Sequence, residues 1–131
     1  MTGVPGASTI FLGGVIAYAN DVKQRLLGVP AATLAAQGAV SRVAARAMAE
    51  GIRRRVGADL GIAVTGIAGP TGGSLRRPVG LVWIAVATAT RTVAWRHRFP
   101  GGRQAIRAAA VAAALEHLRR MLPLTEKDVT M

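Results

Sequence analysis

Residues 60–66 (LGIAVTG) and 79–88 (VGLVWIAVAT) are two short apolar runs without strong polar alternation. Strands of that kind are covered on both faces, so they call for a sheet with helices above and below it. Helical segments are interleaved with them. Asn20 reads as an N-cap with Asp21 in the first turn behind it, and Gly28 is placed to end that helix at C′. Pro30 opens a short helix to about Gln37, closed by Gly38. Ser41 caps a longer one over 42–56, with Val43, Ala47, Met48 and Ile52 as its apolar stripe and Gly57 at its end. Residues 92–99 place Val93, Trp95, His97 and Phe99 opposite Ala94, Arg96 and Arg98, a half-exposed strand in a hairpin with 79–88. The last helix, about 102–122, repeats Val111, Leu115, Leu118 and Leu122 before Pro123 stops it. Residues 9–19 (TIFLGGVIAYA) read as a further strand with Ile10, Leu12, Ile16 and Tyr18 on one face. The pattern predicts an α/β fold, a three-layer α/β/α sandwich around a mixed sheet, with 1–131 as one domain.

Apolar residues make up 51% of the chain and aromatics 4%, so the core is built from Ala, Val, Ile and Leu in tight layers. The absence of cysteine excludes a disulfide framework and thiolate chemistry. Gly, Arg or Lys interrupts every apolar run short of a membrane span, and the start lacks a signal-peptide pattern, so no membrane association and a cytoplasmic location are expected. The net charge of +11 raises nucleic-acid binding. The arginines are dispersed, however: Arg53, Arg54 and Arg55 end a helix, and Arg96 and Arg98 alternate along a strand. With two tryptophans and one tyrosine for stacking, solvated basic faces are the expectation and nucleic acid is not.

The connection between the two buried strands is long and rich in glycine: Gly66, Gly69, Gly72 and Gly73 lie in it with Pro70 and Ser74. Glycine is kept for positive φ or for close approach of something to the main chain, so the loop is an awkward turn or a ligand contact. It follows a strand, at the sheet's carboxyl edge, where ligands of open α/β sheets bind. Thr65 and Gly66 offer a hydroxyl and an approachable backbone there, and the turn from Pro70 to Ser74 suits an anion. It is neither a dinucleotide fingerprint nor a P-loop, having the wrong spacing and no GK[ST].

Tyr18 and Lys23 fall together at the step from the 9–19 strand into the first helix. A lysine beside a helix N-terminus is pushed toward the neutral amine, the form a general base needs. Arg103 follows FPGG at the start of the last helix, an unfavourable place for a cation unless it holds an anion such as phosphate. His97 and His117 have no ligand-spaced partners and receive no role. The six acids are scattered, so neither a carboxylate pair nor a metal site is read, and no cofactor is expected.

The stretches GGVIAYANDVKQRLLGVP, GAVSRVAARAMAEG, AVTGIAGPTGGSLRRPVGLVWIA and FPGGR resemble the C-terminal domain of the CinA (competence/damage-inducible) family, over about Val4 to Leu122. Stand-alone members of that family are nicotinamide mononucleotide amidohydrolases of the PncC type. The resemblance implies hydrolysis of the nucleotide's carboxamide to nicotinate mononucleotide and ammonia, without a metal, by a homo-oligomer. It implies a serine nucleophile in an ESCTGG motif on the first strand, assisted by residues matching Tyr18 and Lys23. Thr65 matches the family's Thr/Ser before GIAGP, and Arg103 the arginine of its F-x-GDR motif. Substrate-binding roles are expected at Asn20, Gly66, Gly69, Gly72, Gly73, Ser74 and Arg103, the glycines letting a nucleotide approach the main chain.

The departures are specific. No ESCTGG occurs, and the chain begins where the family has completed its first helix, first strand and nucleophile-bearing turn. Ser8, Ser41 and Ser74 align elsewhere and none inherits the attack. Gly102 replaces the acid of GDR, and Leu75, Arg76 and Arg77 replace an acidic run. Three readings follow: a fragment whose start lies upstream, a relative that binds nucleotides without turning them over, or a basic surface recruited for nucleic acid. The first is expected, because Tyr18, Lys23, Thr65, Arg103 and the loop are retained.

Overall fold

A computed structural model describes residues 1–122. After a 3-10 turn at Ala7–Thr9 come α1 (Asn20–Leu27), α2 (Ala31–Gln37), α3 (Arg42–Val56), β1 (Gly61–Gly66), β2 (Leu81–Ala87), β3 (Thr92–Arg98) and α4 (Arg103–Met121). Pro123, expected to stop α4, lies outside the described residues.

Local chemistry sets the helix ends. The Ser41 hydroxyl accepts from the Ala44 N–H at 3.2 Å and donates to the Gly38 carbonyl at 2.9 Å, joining the α2–α3 turn to the first turn of α3. Gly28 and Gly57 end α1 and α3 in the left-handed conformation. The cap of α1 differs from expectation: Ala19 is the N-cap, Asn20 is the first helical residue, and no side chain caps that end.

The strands run in the order β1-β2-β3, every pair antiparallel, with Ala63 opposite Ala85 and Val86 opposite Val93. Alternation along them splits the core in two. Ala63, Ala85 and Ala87 face Ala45, Met48 and Ala49 of α3, with Leu27 and Val29 beyond. Val82 and Ile84 face Ile106, Ala110 and Ala114 of α4. The fold is thus α/β, with helices on both faces of the sheet as the continuous apolar runs required.

The 9–19 strand does not form: 11–18 carries no ladder pairing, and the sheet has no parallel member among the described residues. The segment keeps a strand's two-residue periodicity nonetheless. Phe11, Gly13, Val15 and Ala17 are half-buried, while Ile10, Ile16 and Tyr18 are 80%, 84% and 84% exposed. The expected apolar face is present, but nothing among the described residues covers it. Between this segment and the edge of β1 away from β2 lies a cleft of about 940 Å³.

Two helix faces also differ from expectation, for one reason. In α3 the buried residues are Ala44, Ala45, Met48, Ala49 and Gly51, while Val43 is exposed. In α4 the buried residues are Ile106, Ala110 and Ala114, while Val111, Leu115 and the C-cap Leu122 are exposed. Close layers favour small side chains at the contact. A side chain at Gly51 would run into the Leu27 carbonyl, so α1 and α3 cross on that glycine.

Candidate functional site

The cleft beside β1 gathers Tyr18, Asn20, Lys23, Thr65 and Gly66, together with Ala39, Val40 and Leu118. Gly69, Gly72, Gly73, Ser74 and Arg103 are not part of its lining. The expected site therefore falls into two groups, one in the cleft and one in the β1–β2 loop.

Lys23 comes from the first turns of α1 and is only 6% exposed. Its Nζ donates to the Ala17 carbonyl at 2.5 Å and, more weakly, to the Tyr18 carbonyl at 3.4 Å. Burial pushes its pKa below the ordinary lysine value, because a buried ammonium loses hydration. Two competing effects thus act on this amine: desolvation favours the neutral form, and the two carbonyls hold a proton donor toward them. Tyr18 reaches the cleft edge with its side chain largely in solvent.

Thr65, near the carboxyl end of β1, is 8% exposed and donates its hydroxyl to the Ala39 carbonyl at 2.8 Å. With that proton committed, Thr65 Oγ1 presents only acceptor capacity to anything in the cleft. The alternation of β1 aims Thr65 to the same side as Ala63, toward the α2–α3 turn.

The loop is closed on itself. The Ser74 N–H is taken by the Arg77 carbonyl at 2.8 Å, and the Arg77 N–H returns to Ser74 Oγ at 3.1 Å. Arg77 Nε donates to the Val40 carbonyl at 2.9 Å and its Nη2 to the Gln37 carbonyl, fastening the loop to the α2–α3 turn. Arg103 Nη1 donates to the Gly69 carbonyl at 3.0 Å, fastening the other limb to the start of α4. A Cβ at Gly69 would lie 2.5 Å from Val79 Cγ1, and one at Gly73 would lie 2.9 Å from Val79 Cγ2. One at Gly66 would meet Val82 Cγ2 at 2.7 Å. These glycines make room for the protein's own chain. Gly72 differs: φ is +89° and only Ile67 Cγ2, at 3.8 Å, approaches its Cβ position.

One constellation was not legible in advance. His97 Nε2 and His117 Nε2 lie 2.7 Å apart, joining β3 to α4. A faint signal existed: His97 shares a strand face with Trp95 and Phe99, and His117 continues the buried series Ile106, Ala110, Ala114 at helical spacing. Among the described residues no group of three or more His, Cys, Asp or Glu is placed to hold a metal ion. No helix there is long and apolar enough to cross a membrane.

A three-layer α/β domain with a buried lysine and threonine in a cleft at the sheet edge defines the class. Comparison with known proteins places it more narrowly. The family model of the CinA C-terminal domain matches residues 1–122, and the chain belongs to that family. It is 55% identical over 120 residues to a CinA-like protein of Gemmatimonas aurantiaca, covering 92% of this chain and 28% of that protein. It is 52% identical over 122 residues to a CinA-like protein of Geobacter sulfurreducens, covering 93% of this chain and 30% of the relative. The chain thus spans less than a third of the length of these curated relatives. Among solved structures, the competence/damage inducible protein CihA of Agrobacterium tumefaciens superposes with a TM-score of 0.87 at 43% identity. That match covers 89% of this chain and 72% of the other. The competence damage-inducible protein A of Klebsiella pneumoniae gives 0.79 at 39% identity, over 82% and 67% of the two chains.

Proposed function

We propose that this domain serves the hydrolysis of nicotinamide mononucleotide to nicotinate mononucleotide and ammonia, with the cleft beside β1 as the carboxamide site. The observation that carries the reading is that Lys23 and Thr65, both buried, line the same cleft. Lys23 is the one buried amine of the described residues, and its burial shifts it toward the form that accepts a proton. Thr65 Oγ1 is restricted to accepting, which suits an amide –NH2. Amide hydrolysis by a serine needs attack of Oγ on the carboxamide carbon and a base for the hydroxyl proton. That proton then goes to the departing nitrogen, which leaves as ammonia, and water releases the acyl group. Lys23 fills the base and acid steps, with Tyr18 beside it at the cleft edge. The phosphate lies toward Arg103 and the open turn at Gly72, where Arg103 keeps donors beyond the Nη1 used on Gly69.

No serine lines the cleft among the described residues, and this favours a second reading in which the chain by itself binds the nucleotide without turning it over. Loss of one member of a nucleophile–base unit lowers rates by several orders of magnitude while binding groups remain. Calorimetry with nicotinamide mononucleotide and its dephosphorylated riboside, beside an ammonia-release assay, tests both readings. The proposal expects tighter binding of the mononucleotide, weakened by Arg103→Ala, with no ammonia from the chain alone. Equal affinity for both ligands removes Arg103 from the site, and no binding of either overturns the proposal. Ammonia release that survives Lys23→Met removes Lys23 as the base.

A further inference from the structure

Trp95 stacks on His117 with ring centroids 3.9 Å apart and planes within 7°, and Phe99 lies against His97 at 5.1 Å and 10°. These stacks leave both imidazoles partly buried at the C-terminal half of α4, with their Nε2 atoms 2.7 Å apart. The two ring centroids are 5.0 Å apart, so the rings meet head-on with both nitrogens between them. Head-on nitrogens share one hydrogen along a single line. They do not converge on a third point as metal ligands do, and among the described residues no third ligand joins them.

The proton count decides what this contact does. In the neutral pair one Nε2 carries the hydrogen and the other accepts it. One added proton leaves a donor and an acceptor, so the bond survives. A second puts N–H on both facing nitrogens, and the contact becomes a repulsion between cations. The surroundings oppose that charge: desolvation is the largest influence lowering His97 and His117, and for His117 the partner ring and Arg120 add to it. Glu116 pulls the other way on His117, but it is held by Arg119 and Arg120, which lower its carboxyl to about 2. It therefore stays anionic throughout the histidine range and is not the sensor. On β3, Arg96 and Arg98 alternate to the opposite face, and β2 offers the uncharged Val82 opposite His97.

We propose that His97 and His117 form a proton-sensitive latch that holds the C-terminal half of α4 against β3 and releases it when both rings become cationic. The consequence reaches the cleft, because Leu118 of α4, next to His117, and Leu122 just past its end line it. Acidification thereby loosens one wall of the cleft beside β1, whatever ligand that cleft takes.

The sign follows from linkage. Both rings are held below the unfolded value, so the unfolded chain binds more protons than the folded one below about 6.5. The latch is complete above that pH and is lost as pH falls through the second of the two protonation steps below it. For each extra proton taken up, the opening equilibrium rises about tenfold per pH unit. The test is nitrogen-15 NMR of the two imidazoles across pH 4.5–8, with amide hydrogen exchange of residues 114–121 corrected for intrinsic rates. The expected result is coupled titration below 6.5, with protection of 114–121 lost in the same range, and a flatter profile in both His97→Gln and His117→Gln. Independent titration at or above 6.5 overturns the proposal, as does unchanged corrected protection between pH 7 and pH 5. A variant that fails to fold leaves the two wild-type measurements to decide.

Discussion

Thr65→Val tests whether one hydroxyl both fastens the sheet to the α2–α3 turn and orients the cleft. The substitution keeps the volume and β-branching of Thr65 and removes the 2.8 Å bond to the Ala39 carbonyl. The loss has two parts. A net hydrogen bond contributes about 0.5–1.5 kcal/mol, and a carbonyl left without its donor in a part-buried place adds a share of the roughly 1–3 kcal/mol desolvation cost. No other donor reaches the Ala39 carbonyl among the described loop and side-chain bonds, so a total of about 1–3 kcal/mol is expected. At roughly 4 °C per kcal/mol for a domain of this size, Tm falls by about 4–12 °C. Thr65→Ser keeps the donor and loses one methyl, about 1 kcal/mol or less, so it stays nearer the parent. Urea and thermal unfolding of the three proteins measure the series. Valine as stable as threonine, with serine the weaker variant, would refute the reasoning, because packing alone would then explain the site.

Three further outcomes follow from the same geometry. Ile84 is fully buried between the sheet and α4, so Ile84→Ala is expected to cost about 2–5 kcal/mol in urea unfolding. Gly51→Ala drives a methyl group into the Leu27 carbonyl and is expected to cost about 1–3 kcal/mol, whereas the same change at Gly3, where nothing lies near, is close to neutral. The lowered Lys23 pKa means that folding penalises its charged form, and the penalty fades as pH rises toward the unfolded value of 10.5. The urea midpoint of the parent should therefore rise relative to Lys23→Met between pH 7 and pH 10, and a constant difference counts against a desolvated amine.

The elements that the sequence determined are those whose signals are local. Ser41 caps α3 because its hydroxyl needs only the N–H three residues on, and Gly57 ends the helix because that backbone conformation needs no distant partner. The apolar runs at 60–66 and 79–88 called for cover on both faces, which α3 and α4 provide. The cleft residues Lys23 and Thr65 were legible as well, since each sits near the end of an element, Lys23 in the first turns of α1 and Thr65 near the carboxyl end of β1. Partners distant in sequence were decided by the tertiary structure alone. Residues 11–18 have a strand's alternation but no ladder, because a strand needs a neighbouring backbone and no local signal says whether one is there. The buried face of α4 is its alanines rather than Val111 and Leu115, because the spacing of the layers, not hydropathy, chose the contact. The glycines of the β1–β2 loop read as openings for a ligand, yet the space above Gly69 and Gly73 belongs to Val79. His97 and His117 are twenty residues apart and meet only because β3 and α4 pack there. A shared proton has no sequence signature, since it depends on a distance that only the folded chain sets.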